Sequence, residues 1–192
     1  MSHVPDVITT PCEAHSLFAT AAVASSEFSN SSGAAAKATG EPSWNGCAAG
    51  LGSAWAPADD TTNTNWLRLT FDTALYVSAI RVWEAAQPAA ASGFVRRVVA
   101  VEGNGTTHEY WRADDDDLTA CGNVFTLSQA HTTYPVDQLI LYTRTQSIGR
   151  EHVDAVQIDG TTCPPARAIA PLKRPDVYAV PLPQTRAPHI SA

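Results

Sequence analysis

The chain has 192 residues, 44% of them hydrophobic, which is enough for one sizeable core and too little for two ordinary domains. A net charge of −7 with only two lysines, Lys37 and Lys173, argues against a phosphate backbone as partner, so nucleic acid is excluded as the main ligand. No apolar run approaches the roughly 20 residues that span a bilayer, and the N-terminus MSHVPDVITTPCEAH lacks the basic start and apolar stretch of a secretory leader.

In chain order, residues 1–11 read as a lead-in and 12–163 as the folded body. AAVASSEF opens the strand-like runs. SSGAAAKA is the one helical candidate, a turn or two that Ser31 or Ser32 would cap and that Gly40 and Pro42 would stop. WLRLTFD alternates, with Leu67, Leu69 and Phe71 on one face and Trp66, Arg68, Thr70 and Asp72 on the other. VSAIRVWEA, FVRRVVAVEG, THEYWRA, NVFTLS, VDQLILYTRT and VDAVQIDG follow, rich in β-branched and aromatic residues and separated by Gly, Asp, Asn or Pro. Short strands without long helical patterns between them predict an all-β, antiparallel jelly-roll sandwich.

From Pro164 the composition changes. Residues 164–192 hold seven of the thirteen prolines, which fix φ and remove donors, and so predict an extended arm. The arm carries four basic residues and one acid, leaving eight basic and eighteen acidic residues in 1–163, a body of −10 beside an arm of +3. Such an arm either lies on its own body, docks on a partner through Ile169, Leu172, Val177, Tyr178 and Leu182, or stays solvated.

Four cysteines allow three pairings. Cys12 opens the body and Cys163 closes it, while Cys47 and Cys121 lie in loops, so the expected bridges are Cys12–Cys163 and Cys47–Cys121. Each would contribute about 4 to 5 kcal/mol on the chain-entropy account. Bridges point to an extracellular or cell-surface setting, and Asn30-Ser31-Ser32 and Asn104-Gly105-Thr106 are then acceptor triplets for N-glycosylation. Reduced thiols in an intracellular assembly are the alternative, which the lack of a visible leader favours.

The acids suggest sites that mostly dissolve on inspection. Asp114 to Asp117 are adjacent, and neighbouring side chains of extended chain point apart, so the run reads as a solvated turn. In GREHVDAVQIDG, a strand beginning by Arg150 sends Glu151 and Val153 to one side and His152 and Asp154 to the other, with Val156 and Ile158 in the core. The six histidines have no ligand-like spacing, and the chain has no G-x-S-x-G, H-E-x-x-H or phosphate loop, so an enzyme is not expected. The best ligand surface is the loop with Trp44, Asn45, Trp55, Asp59, Asp60, Asn63 and Asn65, which pairs aromatic faces with groups that fix hydroxyls. The competing reading has both tryptophans plugging the end of the sandwich.

The succession AVASSEFS, AAAKATGEP, AWAPAD, NWLRLTF, YVSAIRVWEA, FVRRVVAVEGNG, THEYWRA and EHVDAVQIDG resembles the discoidin-like or galactose-binding-like β-sandwiches. It is most similar to the subgroup named after the scarf domain of pappalysin, over about residues 12–162. The resemblance implies two opposed sheets, loops gathered at one end, and binding or adhesion rather than catalysis, with glycan or protein as partner. It also implies a structural calcium held by an aspartate in an A-x-D-G phrase and a glutamate near the last strand. Here the phrase reads KATG with Thr39 in the aspartate's place, leaving carbonyls of Ala38 to Gly40 and the Glu151 carboxylate as donors. The expected function is a non-catalytic recognition module. The alternative is a structural subunit anchored in a larger assembly by residues 164–192.

Overall fold

The computed structural model describes residues 12–29, 31–43, 52–58, 65–84, 95–113, 124–143 and 152–165. Eight strands form in chain order. They are β1 (Ala14–Phe18), β2 (Ala21–Ala24), β3 (Trp66–Glu84), β4 (Val95–Val101), β5 (Thr107–Arg112), β6 (Val124–Ser128), β7 (Val136–Thr143) and β8 (Val153–Thr161). One sheet has the order β2-β3-β7-β4-β5 and the other β1-β8-β3-β6, with every pairing antiparallel. The expected all-β jelly-roll sandwich is what forms.

β3 belongs to both sheets. WLRLTFD and VSAIRVWEA, expected as separate strands, are one 19-residue strand that changes sheet at exposed Asp72, Thr73 and Ala74, where the register against β7 shifts between Thr70 and Leu75. Its first half buries Leu67, Leu69 and Phe71 as the alternation requires, and its second buries Ile80 and Val82 opposite Ile158 and Val156 of β8. Ile80 and Val82 thus meet Leu67, Leu69, Val98, Leu139 and Leu141 of the other sheet in the main core. Burying each such apolar side chain is worth about 1.5–3 kcal/mol, and that burial selects this register over a one-residue slip.

Three local expectations are corrected. AHSLF, not anticipated, is the edge strand β1, and only Ala21–Ala24 of AAVASSEF is a strand. SSGAAAKA gives a 3-10 turn over Ala35–Ala38 whose cap position is Ala34, without a side-chain capping bond from Ser31 or Ser32. Instead the Ala35 N–H donates to Glu27 Oε1 at 2.7 Å. Finally, β8 begins at Val153 rather than by Arg150, and residues 152–156 are all buried, because the strand starts between β3 and the 3-10 turn rather than at a free face.

Cys12 and Cys163 form the expected disulfide, with Cα atoms 5.4 Å apart. The backbone beside it pairs too, Thr162 N–H donating to Glu13 O at 3.1 Å. Cys47 and Cys121 lie outside the described residues, as does most of the arm, of which only Pro164 and Pro165 are described.

Candidate functional site

The pairing registers place the strand ends. Trp66 lies opposite Tyr142, Val95 opposite Thr143, Arg97 opposite Arg112, Trp83 opposite Val124 and Glu84 opposite Val153. The connections 25–65, 84–95, 113–124 and 143–153 therefore leave from one end of the sandwich. The disulfide and the Glu102–Thr106 and Gln129–Pro135 turns mark the other.

At the loop end the longest connection is held by buried posts. Trp55 is completely buried and bridges Val153, with N–H to O distances of 2.8 and 2.9 Å in the two directions. Its indole Nε1 donates to Ser26 O at 3.1 Å. The Ser26 hydroxyl bonds Asn65 Oδ1 at 3.3 Å and accepts from the Ala58 N–H at 3.2 Å. Asn65 is itself buried, and its carbonyl accepts from the Thr143 N–H at 3.0 Å. Ser25 Oγ accepts from the Trp66 N–H at 2.9 Å.

Two further contacts fix the approach to this corner. Gly33 has φ of 80°, and a Cβ there would come within 2.9 Å of Phe28 Cβ, so glycine is required by both conformation and space. Ser43 Oγ donates to Asp154 Oδ1 at 2.8 Å, and Asp154 is only 2% exposed. Asp154 Oδ2 is buried without a hydrogen-bond partner among the described residues.

Residues 44–51 thus start one step after Ser43 and end before the Trp55 bridge, while 59–64 run from Ala58 to Asn65. Trp44, Asn45, Asp59, Asp60 and Asn63 belong to these stretches and lie outside the described residues. Trp55 has no face open for stacking, so the plug reading describes it. Asn65 is likewise spent on the frame. Ser25, Ser26 and Ser43 were not singled out from sequence, because their partners are 29 to 111 positions away and serine carries no periodic signal.

The other named residues sort plainly. Asn30 and Glu151 lie outside the described residues. Asn104 is exposed in the β4–β5 turn, where its Oδ1 accepts from the Thr106 N–H at 2.8 Å and Gly105 takes φ of 86°. For calcium the described donors do not fit. Thr39 stands where a carboxylate is needed, and its hydroxyl donates to Ala36 O at 2.8 Å within the 3-10 turn. Among the described residues no group of three or more His, Cys, Asp or Glu side chains is gathered to hold a metal.

A concavity of about 400 Å³ lies at the disulfide end, lined among others by His15, Ser16, Ser78, His131 and Asp159. Asp159 accepts from Ser16 Oγ at 2.8 Å and pairs closely with Arg81, which also reaches Gln157 Oε1 at 3.1 Å. The Asp159 carboxylate is thereby committed within the sheet.

Two sheets sharing β3, with loops at one end and the chain ends of the body fastened at the other, define a galactose-binding-like β-sandwich. Similar solved structures include the family 32 carbohydrate-binding module of C. perfringens NanJ in complex with galactose, at TM-score 0.55 and 13% identity, covering 76% of this chain and 99% of that one. Another is a family 32 module from a Clostridium perfringens protein in complex with GalNAc-β-1,3-galactose, at TM-score 0.54 and 13% identity, covering 72% and 93%. A serum fucolectin of striped bass, Morone saxatilis, matches at TM-score 0.53 and 14% identity, covering 74% of this chain and 49% of that one. No curated protein matches the sequence. The family model described as Pappalysin-1, SD scarf domain, C-terminal, matches residues 10–168, and the chain belongs to that family.

Proposed function

We propose that this chain is a non-catalytic recognition module that binds glycan through the loops between Trp44 and Asn65. The observation carrying this reading is the set of posts: the two loop stretches holding Trp44, Asn45, Asp59, Asp60 and Asn63 are rooted on buried Trp55, Asn65 and Asp154. A rigid root under a variable loop places stacking and hydroxyl-binding groups without building them into the core. Trp55 and Asn65 act here as positioning residues. The likeness to galactose- and fucose-lectin sandwiches supports the fold on which such loops sit, while the ligand is argued from the residues. The disulfide and the exposed Asn104 triplet support an extracellular setting for this function.

Glycan-array binding of the full chain tests it. Galactose- or N-acetylgalactosamine-bearing glycans should be retained, and Trp44→Ala, with an unchanged melting temperature, should lose them. Unchanged binding by that variant removes the loop as the site. Deleting residues 164–192 should leave glycan binding intact, and losing it there would transfer the function to the arm.

A further inference from the structure

The outer face of the β2-β3-β7-β4-β5 sheet carries a second surface. Register sets one row of side chains as Trp66, Tyr142, Arg97 and Arg112 across four neighbouring strands. The next row is Val23, Arg68, Ile140, Val99 and Glu109. Val99, Val101 and Ile140 form an apolar cluster separate from the main core, with Trp66 and Tyr142 packed on it and both partly exposed. These side chains therefore point away from the sandwich interior, with Val99, Val101 and Ile140 buried beneath the partly exposed Trp66 and Tyr142.

The charge on this face opposes that of the body. Three of the body's eight basic residues stand in the two rows against one carboxylate. Glu109 is shared, with Oε2 accepting from Arg97 Nε at 2.8 Å and from Arg112 Nε at 2.9 Å. The Arg112 hydrogen bond first, and the Arg97 pairing after it, hold the Glu109 carboxyl below its usual range. One carboxylate neutralises one guanidinium, so a net positive charge remains there. Arg68 adds another, being exposed and without an ion pair among the described residues. Arg97 also lies over the Tyr142 ring, 5.1 Å from its centroid, which holds that ring in place.

We propose that this face binds a linear polyuronate, a polysaccharide with a carboxylate on its sugar rings. Pyranose rings stack on partly exposed aromatics such as Trp66 and Tyr142. Neighbouring strands lie about 4.8 Å apart, comparable to the rise of one sugar unit, so successive rings meet successive strands. The guanidiniums of Arg68 and Arg112 take the carboxylates in the way Arg97 and Arg112 already take Glu109. This surface lies on the sheet, with its first row beginning at Trp66, beside the root of the Trp44–Asn65 loops.

Affinity electrophoresis of the full chain through gels containing polygalacturonate, neutral dextran or polyglutamate decides the matter. Retardation by polygalacturonate alone is expected, weakening as salt rises. Arg68→Ala and Arg112→Ala should each weaken it by about tenfold, as for loss of a charged hydrogen bond, while Trp44→Ala leaves it unchanged. Equal retardation of the arginine variants overturns the proposal. So does equal retardation by dextran, and retardation by polyglutamate as strong as by polygalacturonate marks an acidic protein segment as the occupant instead.

Discussion

The two ends of this sandwich are closed by different physics. At the disulfide end the chain is fastened covalently between Cys12 and Cys163, and backbone pairing continues up to the bond. At the loop end nothing covalent is found among the described residues, and long connections are held by a fully buried tryptophan and by hydroxyls that serve as backbone partners. The lesson is a division of labour. Covalent closure steadies the fold whatever sits in the loops, whereas side-chain posts fix where loops begin and leave the residues between them free to vary.

Replacing both Cys12 and Cys163 by serine should give the largest effect, a loss of about 4 to 5 kcal/mol by the chain-entropy account for a bridge spanning 151 positions. Urea unfolding would show it as a lower midpoint, and glycan affinity of the protein that remains folded should be unchanged. If affinity falls as well, the two ends are coupled and the contrast fails. Trp55→Ala should cost about 3–5 kcal/mol from the emptied core site and should also weaken glycan binding, since the loop root moves. Trp55→Phe retains most of the packing and loses the bond to Ser26 O, so its cost should be about 1 kcal/mol in the same denaturation assay.

Ser43→Ala sharpens the comparison further. It removes the partner of Asp154 Oδ1 at a carboxylate that is almost wholly buried, and about 1–3 kcal/mol is expected. An effect confined to high pH concerns Tyr110, whose phenol is pushed up to about 12, by burial first and then by neighbouring Tyr134. The folded state holds this proton more tightly than the unfolded chain, whose phenol titrates near 10. The resulting stability is fully present below pH 10 and is lost as pH rises toward 12. Ultraviolet titration of phenolate absorbance would follow it, and a Tyr110→Phe variant should lose that late step.

The sandwich was legible because its core strands alternate cleanly: Leu67, Leu69 and Phe71 against Arg68 and Thr70 leave one arrangement that buries the apolar set. β1 was not legible, since AHSLF has only Leu17 and Phe18 to mark it and pairs as an edge against β8. The passage of β3 between sheets was hidden for another reason, because Asp72-Thr73-Ala74 reads as a break between two strands and yet stays extended. In the candidate site, composition points to the loop as a proposal, and Trp55 was left between two roles that only burial separates. The serine posts depend on which distant backbone groups arrive beside them, and that is a property of the folded chain rather than of any local run.

Membership of β3 in both sheets has a mechanical consequence. A sandwich whose layers share a strand cannot part its layers without breaking that strand's own ladders on one side or the other. Partial opening of one sheet is therefore costly, and amide exchange in the two halves of β3 should report a single cooperative event.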